Sequence, residues 1–228
     1  VKDWVRFRDG FRMDRIYSQM GYVFAKHIFG IKGSYAVDPQ KGAVVMTLTT
    51  QGDAPIHYTL DGSEPTAASP RYTGPVEIGK SARFRATALR EGGENVSYSR
   101  EFVFSKSTGH PAVLNTKPND SYTFEGASLL VDGYHSRPVF TSGAWLGYLD
   151  EPLDVTIDMG GEQSYSSVEL ETLAEKGDWI FPPSSVTVWV SDNGTDFTEV
   201  ASVAVPEAKA GDADGICLLY TSPSPRDA

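Results

Sequence analysis

The sequence predicts a mainly β protein in which an N-terminal helix precedes two β domains. Short apolar runs recur along the chain, and several alternate with polar residues in the two-residue period of a half-buried strand. Turn signals separate these runs, most clearly Asp61-Gly62 and Asn193-Gly194, where glycine tolerates the positive φ of a tight turn. Short strands at this spacing are typical of an antiparallel β-sandwich.

The composition is that of a globular chain, and it limits the classes of partner. The 228 residues suffice for more than one domain of ordinary size. A formal net charge of -10 argues against a nucleic-acid partner, because phosphate binding needs a basic surface. The chain contains no run of eighteen apolar residues, so we expect no membrane-spanning helix.

Residues 3–20 are expected to form one amphipathic helix. Asp3 is a suitable N-cap, and Gly21 is placed as a C-terminal stop. One face carries the large apolar side chains of Trp4, Phe7, Phe11, Ile16 and Met20. A single helix cannot bury this much aromatic surface alone, so the pattern predicts a substantial apolar partner.

The first β domain is expected over residues 25–106, and a polar linker follows at 105–109. Its strand candidates are 44–50, 56–60, 76–78, 83–89 and 97–104. The second β domain is expected over residues 110–216. Its apolar segments are 129–133, 145–148, 153–160, 168–170, 179–183, 186–191 and 197–205, and Asn193-Gly194 joins the last two as a hairpin.

The stretch HYTLDGSEPTAASPRYTGP, residues 57–75, is the most specific in the chain. It resembles the small β-sandwich near the C-terminus of chitobiase and of the β-N-acetylhexosaminidases of glycoside hydrolase family 20. The resemblance implies an Ig-like or fibronectin-like β-sandwich in which this stretch has a structural role. The helix sequence DWVRFRDGFRMDRIYSQMGY resembles the last helix of that family's catalytic barrel. Residues 1–24 are therefore expected to be a remnant of a missing (β/α)8 barrel, with a capping helix on the sandwich as the alternative.

The second domain resembles the coagulation factor 5/8 type C, or discoidin, family. The pieces LVDG, WLGY, VTIDMG, WIFPPSSVTVWVS and DNGTDF stand in that family's order. The resemblance implies a galactose-binding-like β jelly roll over residues 110–216, truncated before its last strands.

The tail contains the only cysteine of the chain, Cys217. The run CLLYTSPSPRD resembles the translation of a sequencing adapter, so we expect residues 217–228 to be an artefact and leave them out of the fold prediction. A genuine Pro/Ser-rich tail is the alternative. Without the tail, the chain has no cysteine, which excludes a disulfide framework and a cysteine nucleophile.

The sequence offers no catalytic constellation. Family 20 enzymes use an adjacent Asp-Glu pair at the end of a barrel strand, as the resemblance implies. The pair present here, Asp150-Glu151, lies instead between two strand-like segments and before Pro152, where a solvated turn is the better interpretation. No catalytic residue is carried over, and the chain is expected to be inactive and to require no cofactor.

Four residues are candidates for ligand contact. Asp132-Gly133 matches the first loop of discoidin-like modules, which implies a structural Ca²⁺ held by Asp132; a simple Asx turn is the alternative. Tyr134 and His135 follow this loop and are the best candidates for carbohydrate contact. Trp179 is a further candidate, although the recurrence of its stretch in the family favours packing, as it does for Trp145.

Two functions follow from these resemblances. The first is the non-catalytic C-terminal accessory region of an exo-acting β-N-acetylhexosaminidase, with a carbohydrate-binding role. The second is a cell-surface glycan-binding or adhesion protein without a catalytic barrel. Either implies a bacterial protein of the periplasm or the outer surface, with glycans bearing terminal N-acetylhexosamine or galactose-type sugars as partners.

Overall fold

The computed structural model describes residues 30–50, 54–89, 96–206 and 214–221. These residues form a mainly β fold of antiparallel pairs, consistent with a β-sandwich, which confirms the fold class. The helix expected at 3–20 lies outside the described residues. No helix within these four ranges is long and apolar enough to cross a membrane.

Twelve strands lie in the described residues. They are β1 (Lys32–Asp38), β2 (Ala43–Thr49), β3 (Ile56–Thr59), β4 (Val76–Ile78), β5 (Ala82–Ala88), β6 (Val96–Phe102), β7 (Ala112–Leu114), β8 (Val155–Ile157), β9 (Val168–Ala174), β10 (Ser185–Val190), β11 (Thr198–Ala204) and β12 (Gly215–Thr221). Two three-stranded sheets have the orders β1-β2-β4 and β3-β5-β6, and three two-stranded sheets are β7-β8, β9-β12 and β10-β11. Short 3₁₀ turns cover Asp120–Tyr122, Gly126–Leu130, Phe140–Ser142 and Lys176–Asp178.

The chain divides into two compact units, each assembled from several segments. Among the described residues, the first unit comprises 30–34, 46–50, 54–76, 83–89 and 96–100, and the second comprises 35–45, 77–82, 101–206 and 214–221. This division differs from the expected boundaries at 25–106 and 110–216, because segments of the first expected domain belong to the same unit as the whole of the second. The assignment of residues to sequential domains stays a prediction.

The first unit has an apolar core centred on Phe84. Strands β3 and β5 pair antiparallel, with Ile56 opposite Ala88 and Tyr58 opposite Ala86. The apolar face of β5 is buried at Phe84, Ala86 and Ala88, but the alternation is incomplete because the intervening Thr87 is buried as well. The ring of Phe84 stacks on Tyr58 with the centroids 5.7 Å apart.

In the second unit, a cluster of three rings holds a turn against β1. Tyr35 contacts the ring of Phe102 at 5.3 Å and the ring of Tyr134 at 5.7 Å between centroids. Phe102 and Tyr134 lie 6.4 Å apart. Phe102 and the neighbouring Val131 are buried, so this cluster forms a core of the unit.

The expected hairpin of the second unit is confirmed. Strands β10 and β11 pair antiparallel, with Ser185 opposite Ala204 and an irregularity between Val188 and Trp189. The turn is held by the Asn193 side chain, whose Oδ1 accepts the backbone N–H groups of Thr195 at 2.9 Å and Asp196 at 2.8 Å. Asparagine side chains stabilise turns in this way, by bonding the backbone a few residues on.

Strand β12 pairs with β9 over seven residues, from Gly215 opposite Ala174 to Thr221 opposite Val168. The strand therefore contains residues on both sides of the expected artefact boundary at 217. The expected artefact of residues 217–228 stays a prediction, and residues 222–228 lie outside the described ranges.

Candidate functional site

The polar side chains of the stretch at residues 57–75 form hydrogen bonds and an ion pair within the protein. The carboxylate of Asp61 accepts the Ser63 hydroxyl at 2.6 Å and the Ser63 backbone N–H at 3.0 Å, and these bonds lower the pKa of Asp61. The Glu64 carboxylate pairs with Arg85 and accepts the hydroxyl of Thr87 at 3.2 Å. Since Asp61 and Glu64 both bind within the first unit, these contacts favour a structural role for the stretch.

Asp132 is a buried carboxylate, only 4% exposed, in the turn that follows the 3₁₀ segment Gly126–Leu130. Its Oδ1 accepts the backbone N–H of Tyr134 at 2.8 Å, which is an Asx turn. Its Oδ2 accepts the hydroxyl of Tyr35 at 3.0 Å. Both oxygens are therefore used in hydrogen bonds that hold the turn against β1.

The described residues offer no cluster of acidic ligands for calcium around Asp132. Ca²⁺ requires six or more oxygen ligands, usually with several carboxylates. Across the described ranges, no three His, Cys, Asp or Glu side chains come together in a group that could hold a metal ion. The geometry favours the Asx turn, and calcium binding by Asp132 stays a prediction.

Tyr134 and His135 are adjacent in the chain but lie in different environments, one among aromatic rings and the other at the surface. The ring of Tyr134 packs against Tyr35 and Phe102, so it contributes mainly to the core of the unit. His135 is exposed, and its Nδ1 pairs with the Glu171 carboxylate on β9. His135 is the more exposed of these two candidates.

Trp179 is the most exposed large apolar side chain of the described residues, at 85%. It lies in a four-residue loop, 176–179, between Glu175 and Ile180. The backbone of these two flanking residues pairs in both directions, with N···O distances of 3.0 and 3.1 Å. The expectation that Trp179 packs inside a loop is wrong, because the paired ends hold the indole out in solvent.

The backbone of Trp179 is in the left-handed region, with φ 62° and ψ 31°. Its N–H donates to the Lys176 carbonyl oxygen at 3.2 Å and closes the turn. This conformation favours glycine and costs another residue about 1–2 kcal/mol. Strained positions of this kind concentrate at functional sites.

Carboxylates surround the base of the Trp179 loop. Partial burial, followed by the charge of Asp178, raises the pKa of Glu175. Lys176 pairs with Asp214, with 3.2 Å between Nζ and Oδ1. The backbone N–H of Lys176 also donates to this carboxylate, and that bond lowers the pKa of Asp214. The loop therefore presents an aromatic side chain beside several carboxylates.

The other residues considered in the sequence have structural roles. The Trp145 indole N–H donates to the Arg137 carbonyl oxygen at 3.0 Å, which confirms that Trp145 packs in a loop. Asp150 and Glu151 are exposed, and Asp150 has a φ of 65°, which confirms the solvated turn.

Sequence reasoning missed the carboxylates beside Trp179 and the role of Tyr35. The first had a local signal, because the Glu-Lys-Gly-Asp-Trp order, residues 175–179, places two acids within one tight turn. The second had none, because Tyr35 and Asp132 are 97 residues apart in the chain.

The antiparallel sheets are consistent with a β-sandwich type of module. Residues 35–99 match the family model described as Chitobiase/beta-hexosaminidase C-terminal domain. This match supports a C-terminal chitobiase-type domain in a non-catalytic accessory region. No curated protein matches the chain.

Proposed function

We propose that this chain is the C-terminal accessory region of an exo-acting β-N-acetylhexosaminidase and that it binds carbohydrate through Trp179. The match of residues 35–99 supports the first part. The 85% exposure of Trp179 supports the second, because a solvent-facing aromatic ring is a stacking surface for the apolar face of a sugar. Export to the periplasm or outer surface of a bacterium belongs to the same proposal.

The proposal places catalysis outside this sequence. We expect the purified chain to release no chromophore from a chromogenic N-acetylglucosaminide above the blank rate, because no Asp-Glu pair in a barrel context is present. Measurable turnover that copurifies with the chain would contradict this. The genomic sequence upstream of Val1 is an independent check. A barrel with such a pair supports the proposal, whereas a signal peptide directly upstream supports the adhesion protein instead.

The substitution Trp179→Gly tests the binding surface without damaging the fold. Glycine relieves the left-handed strain of about 1–2 kcal/mol, while its greater freedom in the unfolded chain offsets about 0.4–1 kcal/mol of this. We therefore expect the melting temperature to stay constant or rise slightly and glycan binding to be lost, as measured by thermal melting and a glycan array.

Trp189→Ala is the matched control, since Trp189 is also a tryptophan on the surface, 53% exposed, but lies on β10. This variant should keep glycan binding. An array that is blank for the unmodified chain, or equal binding by the Trp179→Gly variant, would overturn the binding role.

A further inference from the structure

The Trp179 loop presents an aromatic face and two carboxylates in one turn. Trp179 is exposed, Glu175 forms the base of the loop, and Asp178 immediately precedes the indole. The Asp178 backbone N–H donates to the Glu175 carbonyl oxygen at 3.0 Å, so the backbone fixes the spacing of the two acids. Asp178 immediately precedes Trp179 in the chain, so a ligand that stacks on the indole lies one residue away from an acidic side chain.

The negative charge of this turn is not balanced within the described part of the chain. Lys176, the one basic residue of the loop, is already paired with Asp214. Glu175 and Asp178 form no ion pair with any of the described residues. Two like charges this close repel each other, and a cation placed beside them stabilises both.

The environment of the Glu175 carboxylate is unfavourable for its charged form. Its Oε2 atom is buried and accepts no hydrogen bond from the described residues. Burial, then the charge of Asp178 and a hydrogen bond to the Asp178 side chain, raises the pKa of Glu175. A buried acceptor without a donor is costly. A cation held over the turn lowers this cost electrostatically, without direct contact with Oε2.

The indole and the carboxylates favour the same class of ligand. An indole face stacks on the apolar face of a sugar and also attracts a cation. A neutral or N-acetylated sugar uses only the stacking surface. A free amino group of a sugar is protonated in weakly acidic solution, and the resulting ammonium complements the Glu175 and Asp178 charges as well.

We propose that the Trp179 loop binds glycans with free amino sugars in preference to their N-acetylated counterparts. This inference rests on the proposed carbohydrate-binding role and adds the ligand class. Trp179 supplies the stacking face, Asp178 accepts the ammonium, and Glu175 adds negative potential from the base of the loop.

Isothermal titration of the full chain with two oligosaccharides of equal length tests this preference. One is built from glucosamine and the other from N-acetylglucosamine. We expect the glucosamine oligomer to bind about fivefold to tenfold more tightly, since an exposed ion pair and a cation–π contact each contribute modestly. Added salt should reduce this difference, because exposed charges are screened.

Three variants identify the residues responsible for the preference for the glucosamine oligomer. Asp178→Asn should bring the affinity for the glucosamine oligomer close to that for the N-acetylated one, and Trp179→Gly should remove binding of both. Asp150→Asn is the matched control, because Asp150 is an exposed acid in another turn with a left-handed backbone, and it should keep the preference.

The possible outcomes separate the two proposals. Equal affinity for both oligomers, or tighter binding of the N-acetylated one, overturns the amino-sugar preference and leaves the carbohydrate-binding role intact. Binding of neither oligomer overturns both. A preference that survives Asp178→Asn shows that the charge lies elsewhere and overturns the site.

Discussion

The substitution Gly109→Ala is expected to lower the free energy of unfolding by about 2–5 kcal/mol. Gly109 has a φ of 82°, in the left-handed region that favours glycine. A Cβ at this position would lie 2.5 Å from the carbonyl carbon of Gly42 and 2.9 Å from the nitrogen of Ala43. Both are backbone atoms, which cannot rotate away. The Gly109 N–H donates to the Val131 carbonyl oxygen at 2.8 Å, so a shift of the backbone would also break this bond.

Two control glycines separate the causes. Gly126 has a φ of 63° with no atom within 4 Å of a Cβ, so Gly126→Ala should show only the cost of placing alanine in the left-handed region. Gly79 has open space and no positive φ, so Gly79→Ala should be neutral or slightly stabilising. Urea denaturation of the three variants measures the difference. Equal effects at Gly109 and Gly126 would show that the close approach to Gly42 does not matter.

The substitution Asp132→Ala should destabilise the protein by about 2–4 kcal/mol, because it leaves the Tyr35 hydroxyl and the Tyr134 N–H without their acceptor. For a protein of this size, the melting temperature should fall by about 5–15 °C. Tyr35→Phe removes one of the two bonds and should cost about 1–2 kcal/mol. In the Asp132→Ala background, the same tyrosine change should cost much less, since its partner is already gone.

The Asp132 variants also test the calcium prediction made from the sequence. Asparagine keeps an acceptor for the Tyr134 N–H but removes the charge, so Asp132→Asn should be milder than Asp132→Ala. We expect calcium to leave the melting temperature of the unmodified chain unchanged. A calcium-dependent rise that disappears in Asp132→Asn would overturn the assignment of Asp132 as a hydrogen-bond acceptor only, because bound ions stabilise the folded state.

Local patterns predicted many of the strands well. The expected strand at 76–78 coincides with Val76–Ile78, and 83–89 lies one residue from Ala82–Ala88. These segments carry apolar residues on one face, so their limits are set by nearby residues. Strand β1 was missed, because Lys32–Asp38 is half-exposed along its length and has no strong apolar alternation.

Apolar runs without alternation were poorer predictors. The run at 129–133 contains the end of a 3₁₀ turn, Gly126–Leu130, rather than a strand. The run at 179–183 contains the exposed Trp179 loop residue and no strand. Apolar content alone does not distinguish a buried segment from a surface loop, since burial depends on what packs against it.

The sequence alone determined the mainly β class, the hairpin at Asn193-Gly194 and the chitobiase-like stretch, because these depend on residues close together in the chain. Only the tertiary structure decided the roles of the candidate site residues. Asp132 became a buried acceptor because Tyr35, far away in sequence, reaches it. Trp179 became a surface residue because the backbone pairing of Glu175 with Ile180 holds it out in solvent. Residue type sets what a side chain can do, but long-range packing decides whether it faces the core or a ligand.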